Sequence, residues 1–307
     1  MTDAIRWHLT ETLAANQKPC SLRNLLHRQW LLPDRLIHYL RRRQHVLVNG
    51  SYQPVNELVQ AGDRVDMFFN GDEVRTPAAN RYVPTVDPHL EVLFENRDLL
   101  VVNKPRGQKS HPNIAGETRT VMNDVAGYLV GSNDGAYMVH RLDLQTSGAM
   151  IVAKNPVVVP ILNRLIADGQ IHREYVAVVE GRLEGDGCWD WPIGRDPEDP
   201  RWRTVNGLHA QPARTYYHSL AAGDQRSLVH LRLATGRTHQ LRVHLAHSGH
   251  PIVGDPIYNR DSDEQMLLHG TCQRLVLPFT FQKREIVAPL PTYFQQYLLK
   301  YKLRIGR

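Results

Sequence analysis

One nine-residue stretch, HRLDLQTSG from His140 to Gly148, constrains the fold more than any other part of the chain. It sets a single carboxylate, Asp143, beside Arg141, and it ends in a glycine-bearing turn. The apolar run that follows, residues 148–153, predicts a buried strand that begins at this turn. Asp143 is therefore the first candidate for a residue that carries chemistry.

A second segment, TGRTHQLRVH at residues 235–244, lies about a hundred residues further on and has its own arginines. Its apolar spacing predicts a helix capped by Thr238, with Arg242 in mid-helix beside the core. An unpaired buried charge is costly, so we expect Arg242 to pair with Asp143 and keep it ionised. An oriented, ionised carboxylate has the character of a nucleophile. From spacing alone, the alternative is that Asp143 caps a turn and Arg242 pairs elsewhere.

The composition indicates a cytoplasmic globular protein. Hydrophobic residues make up 42% of 307 positions, enough for a full core. The three cysteines are far apart and in no CxxC spacing, which argues against a disulfide framework or a zinc ribbon. The first twenty residues mix charges with apolar groups, and no run approaches the roughly 18 apolar residues of a membrane helix. We therefore expect no secretory signal and no membrane contact.

The chain is basic, with a formal net charge of +6 and a pI near 9.3. Lysine and arginine clusters at residues 41–43 and 300–307 suit a polyanion such as RNA, because phosphate neutralisation supplies most non-specific nucleic-acid affinity. On charge alone, a merely solvated basic surface is an equally good interpretation.

Two short helices and a hairpin are predicted between residues 21 and 69. Ser21 caps the first helix, Asp34 opens the second, and Asn49-Gly50 turns between two strands. This segment resembles the small RNA-binding domain named after ribosomal protein S-four, in which the second helix is basic; a generic α/β cap is the alternative. We therefore predict an RNA-binding domain over residues 1–75, including an N-terminal extension. Its expected RNA contacts are Arg41, Arg42 and Arg43.

A proline-bearing stretch at residues 76–89 predicts a linker, and residues 90–307 form a second predicted domain. Strands and helices alternate irregularly beyond residue 90, with Asn155 capping an amphipathic helix. The expected fold class is α+β: a mixed, mainly antiparallel sheet domain preceded by a small α/β domain. Its clearest predicted strands are 90–94, 99–102, 148–153, 175–179 and 229–233.

Six motifs in order resemble those of the RluA family of pseudouridine synthases. The resemblance implies the pseudouridine synthase fold and isomerisation of uridine in structured RNA, ribosomal RNA first and transfer RNA second. The glycosidic bond to nitrogen breaks, the flipped uracil rotates, and it rejoins the ribose through carbon 5, with no cofactor or metal required. The motifs are NKPRG (103–107), HRLDLQTSG (140–148), REYVA (173–177), TGRTHQLRVH (235–244), GHPIVGD (249–255) and Leu268-His269.

The resemblance also implies a role for each matching residue. Asp143 is the catalytic residue, Tyr175 stacks on the flipped base and is a candidate base toward the ribose, and Arg242 holds Asp143 charged. Whether Asp143 attacks the substrate or accepts a proton from the sugar is left open. The remaining expected RNA and substrate contacts are His140, Arg141 and Leu268.

Three features of the sequence depart from the family pattern. Residues 108–110, Gln-Lys-Ser, are polar where apolar residues are usual, Arg173 replaces a lysine, and Gly270 replaces an alanine. None is Asp143 or Tyr175. The departures leave the chemistry intact and put the choice of target in doubt.

Two other functions compete with this interpretation. A metal site would have to use the histidines at 239, 244, 247 and 250, but no glutamate lies among them and 239 and 244 are five residues apart. A non-catalytic RNA-binding or ribosome-assembly protein would use the basic segments alone. Such a binder has no reason to bury an ionised Asp143–Arg242 pair against Tyr175. We therefore expect an RNA-modifying isomerase, acting as a monomer.

Overall fold

The computed structural model describes residues 5–74, 82–114, 116–260, 262 and 264–303. Part of the predicted linker, residues 75–81, and the basic residues 304–307 lie outside the described ranges. Within those ranges, no helix combines the length and apolar character needed to cross a bilayer.

The N-terminal part is a small α/β unit. Four strands form an antiparallel sheet in the order β1-β6-β3-β4, and β2 pairs with β5 beside it. Helix α1 continues directly into a π-helical turn, Leu25–Gln29. The elements are β1 Trp7–Thr12, β2 Cys20–Ser21, α1 Leu22–Asn24, α2 Asp34–Arg42, β3 Val46–Val48, β4 Ser51–Tyr52, β5 Leu58–Val59 and β6 Arg64–Phe69.

Local signals explain most of this unit. The Ser21 hydroxyl accepts a hydrogen bond from the Asn24 N–H and starts the first helix. Asn49 and Gly50 both have positive φ, as a two-residue turn between twisted strands requires. Strand β1 was not among the predicted elements, because its alternation of apolar and polar residues is short and ends at Glu11, where an apolar residue would be expected.

The larger part is built on one ten-stranded sheet. Its elements are β7 Val92–Glu95, β8 Leu99–Lys104, α3 Val121–Tyr128, β9 Tyr137–Met138, β10 Ser147–Ala153, α4 Val158–Ala167, β11 His172–Glu180, β12 Asp186–Trp189, β13 Ile193–Arg195, β14 Arg203–Val205, β15 Leu208–Gln211, β16 Thr215–Ala222, β17 Arg226–Leu233, α5 Gln240–His247, β18 Leu268–Val276, β19 Lys283–Val287 and α6 Thr292–Lys300.

The sheet is mixed and mainly antiparallel, as the sequence predicted. The strand order is β12-β16-β17-β11-β18-β10-β8-β7, with β19 beside β18 and β9 beside β10. Only the pairing of β10 with β18 is parallel among the strands described. This pairing brings the strand after the HRLDLQTSG loop next to the strand that begins at Leu268.

Both faces of the sheet are covered. Helices α3 and α5 pack on one face, where Leu100, Val102 and Leu245 are buried in a shared cluster. Helices α4 and α6 cover parts of the other face. Asn155 was predicted to cap α4, but the helix begins at Val158 and its N-cap is Val157; Asn155 accepts a hydrogen bond from the Val158 N–H in the turn that leads into the helix. Strands β10 and β11 are therefore buried on both sides, in keeping with their continuous apolar sequences.

The N-terminal unit packs against the sheet domain through a continuous apolar cluster. The rings of Trp30 and Phe279 meet edge to face at 5.4 Å between centroids, and Trp7 contacts Tyr137 in the same way. Arg97 adds a hydrogen bond to the Thr10 carbonyl. The two parts therefore share a core in addition to the chain that joins them.

The described end of the predicted linker is attached to the sheet domain. The Thr85 N–H donates to the Asn123 carbonyl, and the Asn123 side-chain amide donates to the Val83 carbonyl. Residues 83–85 thus run along helix α3 in place of a free segment.

Candidate active site

The HRLDLQTSG loop is held in place by the first motif. The Lys104 ammonium is buried and donates to the backbone carbonyls of Pro105, Gln108 and Leu144. The Gly107 N–H also donates to the Leu144 carbonyl, at 2.8 Å. In the sequence, Lys104 and Gly107 were only part of a family motif. In the structure, they hold the loop that carries Asp143 in place.

One of the polar departures in the first motif has a clear structural role. The Ser110 hydroxyl donates to the Leu142 carbonyl at 2.7 Å and accepts from the Leu142 N–H at 3.0 Å. Ser110 is buried, and its two hydrogen bonds satisfy the backbone of the residue immediately before Asp143. An apolar residue at position 110 would leave those backbone groups without this partner.

Arg242 pairs with Asp143, and it also pairs with a second carboxylate. Its Nη1 donates to Asp143 Oδ2 at 3.0 Å, while Nε and Nη2 donate to the two carboxylate oxygens of Asp255 at 2.7 and 2.8 Å. Burial alone would lower the pKa of the Arg242 guanidinium, but its bonds to Asp255 and Asp143 outweigh burial and raise the pKa. The cation is therefore permanent.

Asp255 is the residue that the sequence analysis missed at this site. Its side chain is fully buried, and it also accepts hydrogen bonds from the N–H groups of Ile257 and Tyr258. A buried carboxylate that accepts this many hydrogen bonds is held in one position and orients Arg242. The signal that was present is the GHPIVGD motif, which ends in Asp255.

Helix α5 begins differently from the prediction. Thr238 is not its cap; His239 precedes the first helical residue and has a left-handed conformation, with φ 58°. The Gln240 side-chain oxygen accepts from the Arg237 N–H and the Thr235 hydroxyl, so the turn is closed from inside the helix. As a result the His239 ring lies near the catalytic loop, with Nε2 3.9 Å from Asp143 Oδ2.

A cavity opens above the Asp143 carboxylate. Tyr175 on β11 and Leu268 on β18 line it together with Asp143 and Arg242. Both apolar walls are buried, whereas the Asp143 side chain retains 18% exposure. Leu267, the neighbour of Leu268, belongs to a different apolar cluster on the other face of the sheet. The four residues thus combine an ionised acid, its arginine, an aromatic ring and an aliphatic wall.

Tyr175 is suited to stacking. Burial raises the pKa of its phenol, and the nearby Asp143 charge raises it further, against an opposing effect of Arg173. The phenol is consequently protonated at neutral pH, which favours the stacking role over the role of a base toward the ribose.

His140 and Arg141 occupy different environments. Arg141 is exposed and lines the Asp143 cavity, as expected for a group that handles RNA. His140 does not line that cavity: its ring is buried, and Nε2 accepts a hydrogen bond from the Ile151 N–H. Burial, together with the charge of Arg173, lowers the pKa of His140 to about 3. His140 is therefore neutral and first of all supports strand β10.

The three arginines at the end of α2 are not equivalent. Arg41 and Arg42 are exposed. Arg43 instead forms ion pairs with Asp72 and Glu73 and stacks over the Tyr39 ring. The prediction of an RNA contact therefore finds no support at Arg43, because its charge is already neutralised within the domain.

His239, just before α5, and His244, within it, both make structural contacts. His239 Nδ1 is 3.0 Å from the Tyr258 hydroxyl, and the two ring nitrogens of His244 lie within hydrogen-bond distance of Thr215 and of the Trp191 carbonyl. In the described part of the chain, no group of three or more His, Cys, Asp or Glu side chains is arranged to hold a metal ion.

Two protein families match successive parts of the chain. Residues 98–247 match the family described as RNA pseudouridylate synthase. Residues 9–65 match the N-terminal domain of the RluD ribosomal pseudouridine synthase. Together these regions contain the HRLDLQTSG loop, Tyr175, Arg242 and the basic helix α2.

Relatives that align over most of the chain, and similar solved structures, are also described as pseudouridine or pseudouridylate synthases. An uncharacterized RNA pseudouridine synthase of Bacillus subtilis, YhcT, is 37% identical over 81% of this chain and 82% of its own length. The ribosomal large subunit pseudouridine synthase D of Escherichia coli K12 is 35% identical over 94% of this chain and 92% of its own length. The structure of human RNA pseudouridylate synthase domain containing 1 is 29% identical, with a TM-score of 0.55 over 68% of this chain and 86% of that one. Human domain containing 4, at 24% identity and a TM-score of 0.59 over 71% of this chain and 95% of that chain, shares the fold.

Proposed function

We propose that this chain, which belongs to the RluA-type RNA pseudouridine synthases, isomerises uridines of ribosomal RNA, with Asp143 as its catalytic residue. The observation that carries the assignment is the Asp255–Arg242–Asp143 chain beneath Tyr175 and Leu268. Ribosomal RNA is the preferred target because the relative that matches 94% of the chain is named for the large ribosomal subunit. The proposal includes a single chain as the working unit, in the cytoplasm.

The proposed reaction follows from the contents of the cavity. A uridine is flipped out of its stack, at a cost of a few kcal/mol, and its base lies between Tyr175 and Leu268. The bond from C1′ to N1 breaks, the uracil turns, and C1′ bonds to C5. The proton on C5 is released to solvent and N1 takes up a proton, so the product is an isomer of the substrate. Asp143, held ionised by Arg242, acts at the sugar or the base during this exchange. Arg141 at the cavity rim occupies the space left in the RNA stack.

We also propose a division of the chain into two domains. Residues 1–75 would act as an RNA-binding domain, joined by residues 76–89 to a catalytic domain over residues 90–307. Arg41 and Arg42, exposed in the last turn of α2, are its proposed RNA contacts.

Replacement of Asp143 by asparagine tests the catalytic assignment. Asp143→Asn keeps the shape of the side chain but removes its charge, so tritium release from RNA labelled at C5 of uridine should fall below detection. RNA affinity should stay within a few fold, since the surrounding cavity is unchanged. Exposed Asp168→Asn is the matched control, because it makes the same chemical change on helix α4's end. Retained tritium release by Asp143→Asn would exclude the assignment.

The target is tested by mapping pseudouridines in total RNA from cells with and without the gene. Loss of one or a few sites in ribosomal RNA is the expected result. Loss confined to transfer RNA would overturn the choice of target and leave the enzyme class intact. A chain that only binds RNA would leave every site modified.

A further inference from the structure

A second cavity adjoins the Asp143 cavity and contains a buried arginine without an acidic partner. The cavity has a volume of about 450 Å³ and is lined by Arg173, His140, Arg141 and Arg237 among other residues, none of them a carboxylate. Arg141 and Arg237 line both cavities. The two cavities are therefore contiguous at these two arginines.

Arg173 has unsatisfied donors. Only 7% of the residue is exposed, yet its Nε makes no hydrogen bond, and Nη2 has one long contact, 3.4 Å, to the Thr235 carbonyl. Among the ion pairs of the described residues, none includes Arg173. An uncompensated buried guanidinium is unfavourable unless a partner is supplied.

His140 contributes a second unsatisfied donor. Because its Nε2 accepts from the Ile151 N–H, a neutral ring carries its proton on Nδ1. That Nδ1 is buried without a hydrogen-bond partner. The cavity thus holds two buried donors in need of acceptors. His140 belongs to the motif that contains Asp143, and Arg173 belongs to the motif that contains Tyr175.

The chain makes room for the Arg173 guanidinium. A Cβ added at Gly236 would lie 2.8 Å from Arg173 Nη1, closer than real contacts allow. Gly236 does not have a positive φ, so its backbone does not itself require glycine. The absence of a side chain at position 236 therefore serves to keep the guanidinium against the loop between β17 and α5.

We propose that this cavity binds a phosphodiester group of the substrate RNA next to the flipped uridine. Arg173 and the His140 Nδ1–H supply buried donors, and Arg141 and Arg237 supply positive charge at the rim. A phosphate oxygen satisfies such donors, and arginine matches its geometry. The proposal rests on the proposed function, because it assumes that the polyanion is RNA whose base reaches Asp143.

The test measures binding of an RNA stem-loop that carries the mapped uridine, with catalysis blocked by Asp143→Asn. Arg173→Gln should weaken binding about tenfold, and it should reduce the slope of log affinity against log salt by about 1. Arg182→Gln, an exposed arginine beyond the opposite end of β11, is the matched control and should leave both quantities unchanged.

A second variant distinguishes the loss of an RNA contact from a folding defect. Gly236→Ala keeps every charge but displaces the guanidinium, so it should weaken binding several-fold while the salt slope and the thermal unfolding temperature change little. Unchanged RNA affinity in both Arg173→Gln and Gly236→Ala, with folding intact, would overturn the proposal.

A single neutral methylphosphonate next to the target uridine distinguishes RNA phosphate from free phosphate. It should weaken binding about tenfold to the Asp143→Asn protein and less than twofold when Arg173→Gln is added. Equal losses in the two proteins would overturn the proposal, as would inorganic phosphate competing in the micromolar range, which would mark a site for the free anion. Tritium release by the unaltered protein on the same RNA tests the proposed function separately. If no uridine is found by mapping, the salt slope on total ribosomal RNA still decides whether Arg173 binds a polyanion.

Discussion

At the scale of single residues, the site depends on how the donors of the Arg242 guanidinium are shared between two carboxylates. Asp255 takes two of the Arg242 donors and leaves Nη1 for Asp143. The buried Arg242–Asp255 pair, which is neutral overall, therefore fixes the position of Nη1, while the Asp143 side chain stays partly exposed at the cavity. An arginine paired with Asp143 alone would have a second set of buried donors to satisfy.

His140 gives a pH dependence whose direction follows from its environment. Its pKa is about 3 in the folded protein, against an ordinary value of 6.5, so the folded state stays neutral where the unfolded chain takes up a proton. Stability contributed by the neutral ring is full above pH 6.5 and is lost as the pH falls from there toward 3. Between pH 7.5 and 5 this amounts to about 2 kcal/mol of unfolding free energy.

The measurement is urea unfolding of the wild type and of His140→Gln at these two pH values. Glutamine can still accept from the Ile151 N–H but does not titrate. The wild type should lose about 2 kcal/mol more than the variant on acidification. Parallel losses would show that the ring is accessible to protons when folded. His38→Gln, a change outside the buried core, serves as the control.

The residue scale is also where prediction from sequence stops. Asp143, Tyr175, Arg242 and Leu268 were predicted together, and the structure brings them into one cavity. The pairing of Asp143 with Arg242 was also predicted. The bonds of Ser110 to the Leu142 backbone and of Arg242 to Asp255 were not, because they depend on where loops meet and leave no periodic pattern. The buried state of His140 was missed for the same reason: polar residues in a loop are normally exposed.

At the scale of elements, the site depends on the short parallel contact between β10 and β18. Gly148 pairs with Gly270, and a Cβ at Gly148 would lie 2.3 Å from the Gly270 carbonyl oxygen. The backbone at Gly148 also has φ 117°. This contact sets the distance from the HRLDLQTSG loop to Leu268. A side chain at position 148 cannot be accommodated without separating β10 from β18.

Gly148→Ala should therefore be severely destabilising, by about 3 kcal/mol or more, because steric overlap adds to backbone strain. Gly185→Ala is the control: its φ is also positive, but its added Cβ would meet nothing within 4 Å. That change should cost about 1–2 kcal/mol. Chemical denaturation of both variants measures the difference. Equal losses would mean that the strand contact can relax.

Strands and helices were the most predictable level. The hairpin of β7 and β8, strand β10, helix α4 and the Asn49-Gly50 turn all follow local patterns of apolar residues and caps. The start of α5 was predicted wrongly, because the Gln240 side chain closes that turn from within the helix. The order of ten strands in one sheet was beyond reach, since it is fixed by long-range contacts.

At the scale of the whole molecule, the small N-terminal unit and the sheet domain share one apolar cluster. Trp30 lies at the contact and is buried against Phe279. A contact of this kind makes the two parts unfold together. It also makes the surface of the sheet domain apolar where the N-terminal unit covers it, so removal of residues 1–75 would expose that surface.

Calorimetry should show a single unfolding transition for the full chain. Trp30→Ala should lower stability by about 3–5 kcal/mol, the usual cost of truncating a buried aromatic side chain. The exposed Leu58→Ala is the control and should change stability by less than about 0.5 kcal/mol. Two separate transitions in the unaltered protein would contradict the shared core.

The shared core has a geometric consequence for target choice. Because helix α2 is fixed to the sheet domain, its exposed arginines cannot move independently of the cavity that receives the base. In the proposed complex with RNA, the distance from the exposed arginines of α2 to Asp143 is therefore constant, and this distance selects uridines at one spacing from the RNA feature that α2 contacts.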